Sequence, residues 1–249
     1  MSRPTRTATF AVGGALVASL ALPGVATAEE ARPADSPDRV AGVERTSEDS
    51  LFFAGYVAPL KKKDKSIIGT FTVPTLDCGA EDEASASLIE LATEGGGDWV
   101  DGLVFSNCVE GAGTHQAVFH TTTEAGVVDI AEIVEDGDEI TVDSVYKKKK
   151  DKITVTMTNN TQGWEATDSF TGINPEEASA LVYSVELAAG DPSLPPLSEN
   201  VPFDNVTVQG KDLKKKDPVK YNWVDENGDN LVKPTKIKSG TDFTAKYVG

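Results

Sequence analysis

The chain has 249 residues, a formal net charge of −17, and every arginine at or before Arg45. Such an acidic overall balance argues against nucleic acid as a partner, because phosphate backbones select a positive surface. Beyond Arg45 all positive charge is lysine, which lacks the planar fork for bidentate pairing with carboxylate or phosphate, and the length suffices for a sizeable core.

Residues 1–28 carry Arg3 and Arg6, an apolar run from Phe10 to Leu22, and Ala26-Thr27-Ala28. This pattern predicts a secretory signal peptide cleaved after Ala28, hence a secreted, extracellular chain. The apolar run is shorter than a bilayer needs, so no membrane span is expected. Glu29 to Ser50 is charged, rich in Pro and Ser and poor in large apolar residues, which predicts a disordered linker or short pro-segment at residues 29–50. Residues 51–249 then form one domain, expected to be monomeric. With two cysteines in an exported chain, Cys78 and Cys108 are expected to form one disulfide, contributing about 3–4 kcal/mol for a loop of that size.

Within the domain, Ile67 to Cys78 (IIGTFTVPTLDC) alternates β-branched and aromatic residues with small polar ones until Pro74 and reads as a strand ending at a proline turn. Period-two runs follow at Gly126–Val134, Glu139–Tyr146, Lys152–Thr158, Ala180–Leu187, Val201–Val208, Val219–Val224 and Asp242–Val248. In the clearest, Ile153, Val155 and Met157 point inward and Thr154, Thr156 and Thr158 outward. Turn signals at Glu135-Asp136-Gly137, Asn159-Asn160, Gly190-Asp191-Pro192 and Asn227-Gly228 separate them. No stretch sustains a helical period, so the fold class is all-β, an antiparallel sandwich or barrel. Lysine runs at Lys61–Lys63, Lys147–Lys150 and Lys214–Lys216 fall between strands, where they protect turn tips and sheet edges from pairing. A basic patch facing an anionic surface or a pro-segment is the functional alternative.

Few patterns carry chemistry. Asp225, Asn227 and Asp229 alternate like the start of a calcium loop, but Asn230 and Lys236 stand where glycine and a bidentate glutamate belong, so a hairpin turn is expected and no metal. His115 and His120, five apart in a strand, face opposite sides and cannot share a metal. With only these histidines and no nucleophile-elbow serine, a Ser/His/Asp site is not expected. Asn159-Asn160-Thr161 and Asn205-Val206-Thr207 match the glycosylation acceptor. Carboxylate chemistry remains.

Phe53-Ala54-Gly55-Tyr56-Val57, Gly69-Thr70-Phe71-Thr72-Val73-Pro74-Thr75, Gly137-Asp138, Val201-Pro202-Phe203-Asp204-Asn205-Val206-Thr207-Val208-Gln209-Gly210 and Gly240-Thr241-Asp242-Phe243-Thr244 resemble, in that order, the glutamic peptidases, or eqolisins. The resemblance spans Leu51 to Tyr247. It implies a concanavalin-like sandwich of two antiparallel sheets, acid endopeptidase activity on polypeptide, and no cofactor. The implied mechanism uses a glutamate as general base toward water and a glutamine amide that stabilises the oxyanion.

By the same resemblance the dyad positions fall on Val100 and Val182, neither of which can move a proton or donate to an oxyanion. The cleft-lining positions fall on Phe53, Leu88, Val118, Thr121 and Tyr183. A slip of one residue offers Asp101, and Glu186 stands at the family's second, non-catalytic glutamate, so Asp101 and Glu186 form a displaced candidate pair. Two functions are therefore carried forward: an acid endopeptidase or diverged relative, and a non-catalytic secreted sandwich that binds peptide, glycan or another extracellular polymer.

Overall fold

The computed structural model describes residues 47–61, 64–78, 83–184 and 200–248. Its strands are β1 (Ser47–Ser50), β2 (Phe53–Pro59), β3 (Asp64–Thr72), β4 (Glu83–Ala92), β5 (Trp99–Val109), β6 (Ala112–Thr121), β7 (Val127–Asp129) and β8 (Glu139–Lys147). They continue with β9 (Lys152–Asn159), β10 (Trp164–Thr171), β11 (Glu177–Ser184), β12 (Val201–Val208), β13 (Lys211–Asp212), β14 (Val219–Val224), β15 (Asn230–Pro234) and β16 (Phe243–Tyr247). Only single 3-10 turns interrupt them among the described residues, none of which is long and apolar enough to cross a membrane.

One ladder runs β10-β9-β8-β3-β12-β16-β15-β14-β2-β11-β4-β5-β6-β7. It folds over so that β4 and β5 of a front sheet lie against β8 and β9 of a back sheet. The expected all-β antiparallel sandwich is what forms. One core fills the space between the sheets. From the back come Ile140, Val142, Ile153, Val155 and Met157, and from the front Ile89, Leu91, Val100, Val104, Ala180 and Val182.

Alternation dictates this in β9, whose inward Ile153, Val155 and Met157 are fully buried while Thr154 and Thr156 bond Ser169 and Thr167 across the ladder at 3.1 and 3.0 Å. Close approach dictates it at Gly102, where an added Cβ would lie 2.8 Å from Val142 Cγ1 and 2.9 Å from Met157 Cγ. Only a glycine lets β5 come that near the back sheet.

Three differences from the sequence reading have physical reasons. Gly126–Val134 yields only β7, an edge strand that stops where the Ile130 amide donates to the Ala117 carbonyl at 3.0 Å. Strands β4 and β5 carry no period-two signal because both their faces are buried, continuously so from Ala84 to Ala92. Ser47–Ser50, assigned above to the linker, instead pairs in parallel with β14, Asp49 accepting a bond from the Asn222 amide at 3.1 Å, so ordered structure begins before residue 51. The disulfide forms as expected, with Cys78 and Cys108 5.4 Å apart at their Cα atoms, tying the segment after β3 to β5.

Candidate active site

Period two gives each front strand two faces, and the ladder register sorts the candidates between them. Val100 and Val182 lie on the inner face, fully buried in the inter-sheet core. Phe53, Leu88, Val118 and Tyr183 lie on the outer face, where a second apolar cluster of Ala86, Leu88, Leu103, Val118 and Leu181 is flanked by Phe53, Val57, Phe105 and Tyr183. Thr121 pairs with Val100 and so leaves that group, its hydroxyl donating to the Trp99 carbonyl at 3.0 Å. The two valines and the four cleft-lining residues therefore do not share a face. Glu186 lies outside the described residues.

Asp101 does face outward. It stands opposite Glu90 on β4 and opposite His120 on β6, and Glu90 in turn stands opposite Ser179 on β11. Directly opposed residues have Cβ atoms about 4.5–5.5 Å apart, so two carboxyl groups and an imidazole form one row across three strands. The row sits beside the apolar cluster and is nearly closed to water, with Asp101 1%, Glu90 2% and His120 7% exposed.

Within it, Trp99 Nε1 donates to His120 Nδ1 at 3.4 Å, the rings meeting edge to face with centroids 5.6 Å apart. Asp101 Oδ2 lies 3.6 Å from the same nitrogen, and Asp101 Oδ1 is buried with no hydrogen-bond partner. A buried carboxylate oxygen without a donor is costly. It is also what a base awaiting water requires.

Sequence reasoning reached Asp101 but missed Glu90 and His120 as its neighbours. The available signal was a lone carboxylate inside each of two otherwise apolar stretches, SLIELA and WVDGLVF.

The histidines face opposite sides as expected, and His115 lies between a serine and an aspartate that the sequence reading did not bring together. Ser106 Oγ lies 2.9 Å from His115 Nδ1, and His115 Nε2 lies 2.7 Å from Asp136 Oδ1. Sequence separation hid this contact, because Asp136 comes from the loop before β8. Ser106 has the inward register of Val100 and Val104 on β5, on the side of the sheet opposite Asp101, and the chain of bonds ties the β5–β6 hairpin to that loop.

Asp225 accepts the amides of Asn227 and Asp229 at 2.9 and 2.8 Å, which makes it the cap of the hairpin turn. Those bonds, with Asp229's amide foremost, hold its carboxyl below the usual range. Asn159 is fully buried and donates to Asp138 at 2.7 Å, so in the fold it is no glycan acceptor.

The model of the peptidase A4 family matches residues 52–247. A scytalido-glutamic peptidase bound to a peptide-based transition-state analogue is similar in fold, with 17% identity, a TM-score of 0.65, and coverage of 80% of this chain and 98% of that one. The eqolisin SCP-B, in complex with the tripeptide Ala-Ile-His, gives 18%, 0.62, 80% and 98%. Aspergilloglutamic peptidase from Aspergillus niger gives 20%, 0.53, 67% and 99%. Among curated proteins no sequence matches.

Proposed function

Since the chain belongs to the peptidase A4 family, we propose that it is a secreted acid endopeptidase whose chemistry has moved from the family's glutamine–glutamate positions to Glu90 and Asp101. The observation that carries this is the unpartnered, buried Asp101 Oδ1 beside a second carboxyl group on the face that bears Leu88, Val118 and Tyr183.

The reaction needs one carboxylate as base and one carboxylic acid as proton donor. Asp101 takes a proton from water. The hydroxide so formed adds to the scissile carbonyl carbon, and the Glu90 carboxyl passes its proton to the carbonyl oxygen. Collapse of the tetrahedral diol breaks the C–N bond, one diol hydroxyl returning its proton to the Glu90 carboxylate while the proton held by Asp101 leaves on the amine.

A second reading, binding of a peptide or other extracellular polymer without turnover, is favoured by the near-complete burial of the carboxyl row and by the core placement of Val100 and Val182. Cleavage of an unfolded protein by the purified domain between about pH 2 and 7 separates the two. The first expects acid activity that falls about 100-fold or more in Asp101→Asn and in Glu90→Gln at unchanged thermal stability. An inert wild type with saturable peptide binding establishes the second instead.

A further inference from the structure

The lysine runs play no part in that chemistry, yet the fold gathers them. Strand β9 begins at Lys152, β8 ends at Lys147, β3 begins at Asp64, β12 ends at Val208 and β13 begins at Lys211. These ends are neighbours along one edge of the back sheet: Lys147 pairs with both Lys152 and Asp64, and Val208 with both Ile67 and Lys211. The Gln209 amide, donating to the Ser66 carbonyl at 2.9 Å, closes the row. At about 4.8 Å per strand, five strand ends make an edge about 20 Å long.

Where this edge meets the end of β2, Lys61, Lys211, Lys215 and Lys216 line a recess of about 190 Å³ together with Pro59, Gln209 and Asp217. Lys216 donates to Gln209 Oε1 at 2.6 Å, and Lys215 pairs with Asp212 at 2.6 Å, so two of the ammonium groups are held in place at the rim. Lys65 belongs elsewhere, its ammonium donating to the Pro175 carbonyl and to Asn174.

Protection of exposed edges explains lysines at the β8–β9 tip. It does not explain why ammonium groups from two segments far apart in sequence line one recess, within a Debye length of one another, in a chain of net charge −17. An anion in the recess removes that repulsion. Several ammonium groups around one recess suit a tetrahedral oxyanion, whose oxygens point in different directions, better than a planar carboxylate. A second group of lysines, Lys147–Lys150, at the far end of the same line of strand ends suits an anion that repeats.

We propose that this edge binds a linear phosphate polymer, one phosphate seated among Lys61, Lys211, Lys215 and Lys216 and its successors running along the strand ends toward Lys147–Lys150. Lysine point charges make the contact indifferent to the polymer's substituents and sensitive to salt. The proposal stands whether or not the carboxyl row cleaves peptides.

Fluorescence anisotropy with labelled inorganic polyphosphate at pH 7 tests it. Binding is expected to weaken about tenfold or more between 50 and 200 mM salt. It should weaken by a similar factor in Lys211→Gln/Lys215→Gln/Lys216→Gln and less in the exposed-tip variant Lys148→Gln/Lys149→Gln/Lys150→Gln, which keeps the test valid if the first variant melts early. Lys233→Gln/Lys236→Gln/Lys246→Gln carries the same charge change elsewhere and should bind as the wild type. The proposal is overturned by absence of binding, by equal losses in all three variants, or by equally tight binding of polyglutamate. Binding of anionic phospholipid vesicles without binding of polyphosphate overturns it as well, by making a bilayer the partner.

Discussion

The two faces of the front sheet differ by a single residue in register and by everything in chemistry. On the inner face Val100, Gly102 and Val104 of β5 meet the back sheet, and an added methyl at Gly102 would strike Val142 and Met157. On the outer face Asp101 joins Glu90 and His120, and the neighbouring Leu103 joins Leu88 and Val118. Because side chains alternate strictly, a slip of one position transfers a residue from packing to chemistry. Val100 and Val182 thus pack the core while the opposite face of the same strands keeps its carboxylates.

The largest expected effect comes from forcing the outer face's chemistry onto the inner one. Val100→Gln with Val182→Glu places an amide and a carboxyl group in the fully buried core. It should cost about 4 kcal/mol or more, lowering Tm by about 10 °C, without raising acid proteolysis above the wild-type level. Proteolysis gained at unchanged Tm would mean that the valines face the cleft, and the comparison of faces would fail.

Gly102→Ala probes the inner face alone. With 2.8 Å to Val142 and 2.9 Å to Met157, the added methyl should cost about 1–3 kcal/mol in urea unfolding while peptide cleavage, measured at a temperature where the variant is folded, stays near wild type. Full stability would show the sheets to be farther apart than this structure has them.

The smallest effect lies on the back sheet and concerns pH. Burial, followed by the charges of Asp242 and Glu139, raises the Asp204 pKa, and burial alone raises that of Asp143. A carboxyl group whose folded pKa exceeds its unfolded value, near 3.9, binds its proton more tightly in the fold. Its contribution is present below that unfolded value and is lost as pH rises through the folded one. Asp204 is largely exposed, so solvent screening keeps the effect small. Asp204→Asn should therefore raise Tm slightly at pH 7 and leave it unchanged at pH 3. A gain at both pH values would point to a cause other than ionisation.

Much of the fold was legible because the back sheet obeys period two. Lys152–Thr158, Val201–Val208 and Val219–Val224 were delimited from alternation alone, and they became β9, β12 and β14 with little or no change of boundary. The front sheet was less legible. Its strands are buried on both faces, so Ala84 to Ala92 shows a run rather than a rhythm, and the family resemblance had to carry what alternation could not. The site suffered most. Glu90, Asp101 and His120 lie on three strands, and no spacing in the sequence announces that they oppose one another.

The sequence by itself determined the acidic balance, the all-β class, the disulfide and the family, because these depend on composition, local period and motif order. Only the tertiary structure decided which face each residue meets, that Asp101 stands beside Glu90 and His120 with one oxygen unpartnered, and that separate lysine runs meet along one edge. Ladder register and the folding of one sheet over another set these contacts, and both depend on pairings between residues far apart in the chain.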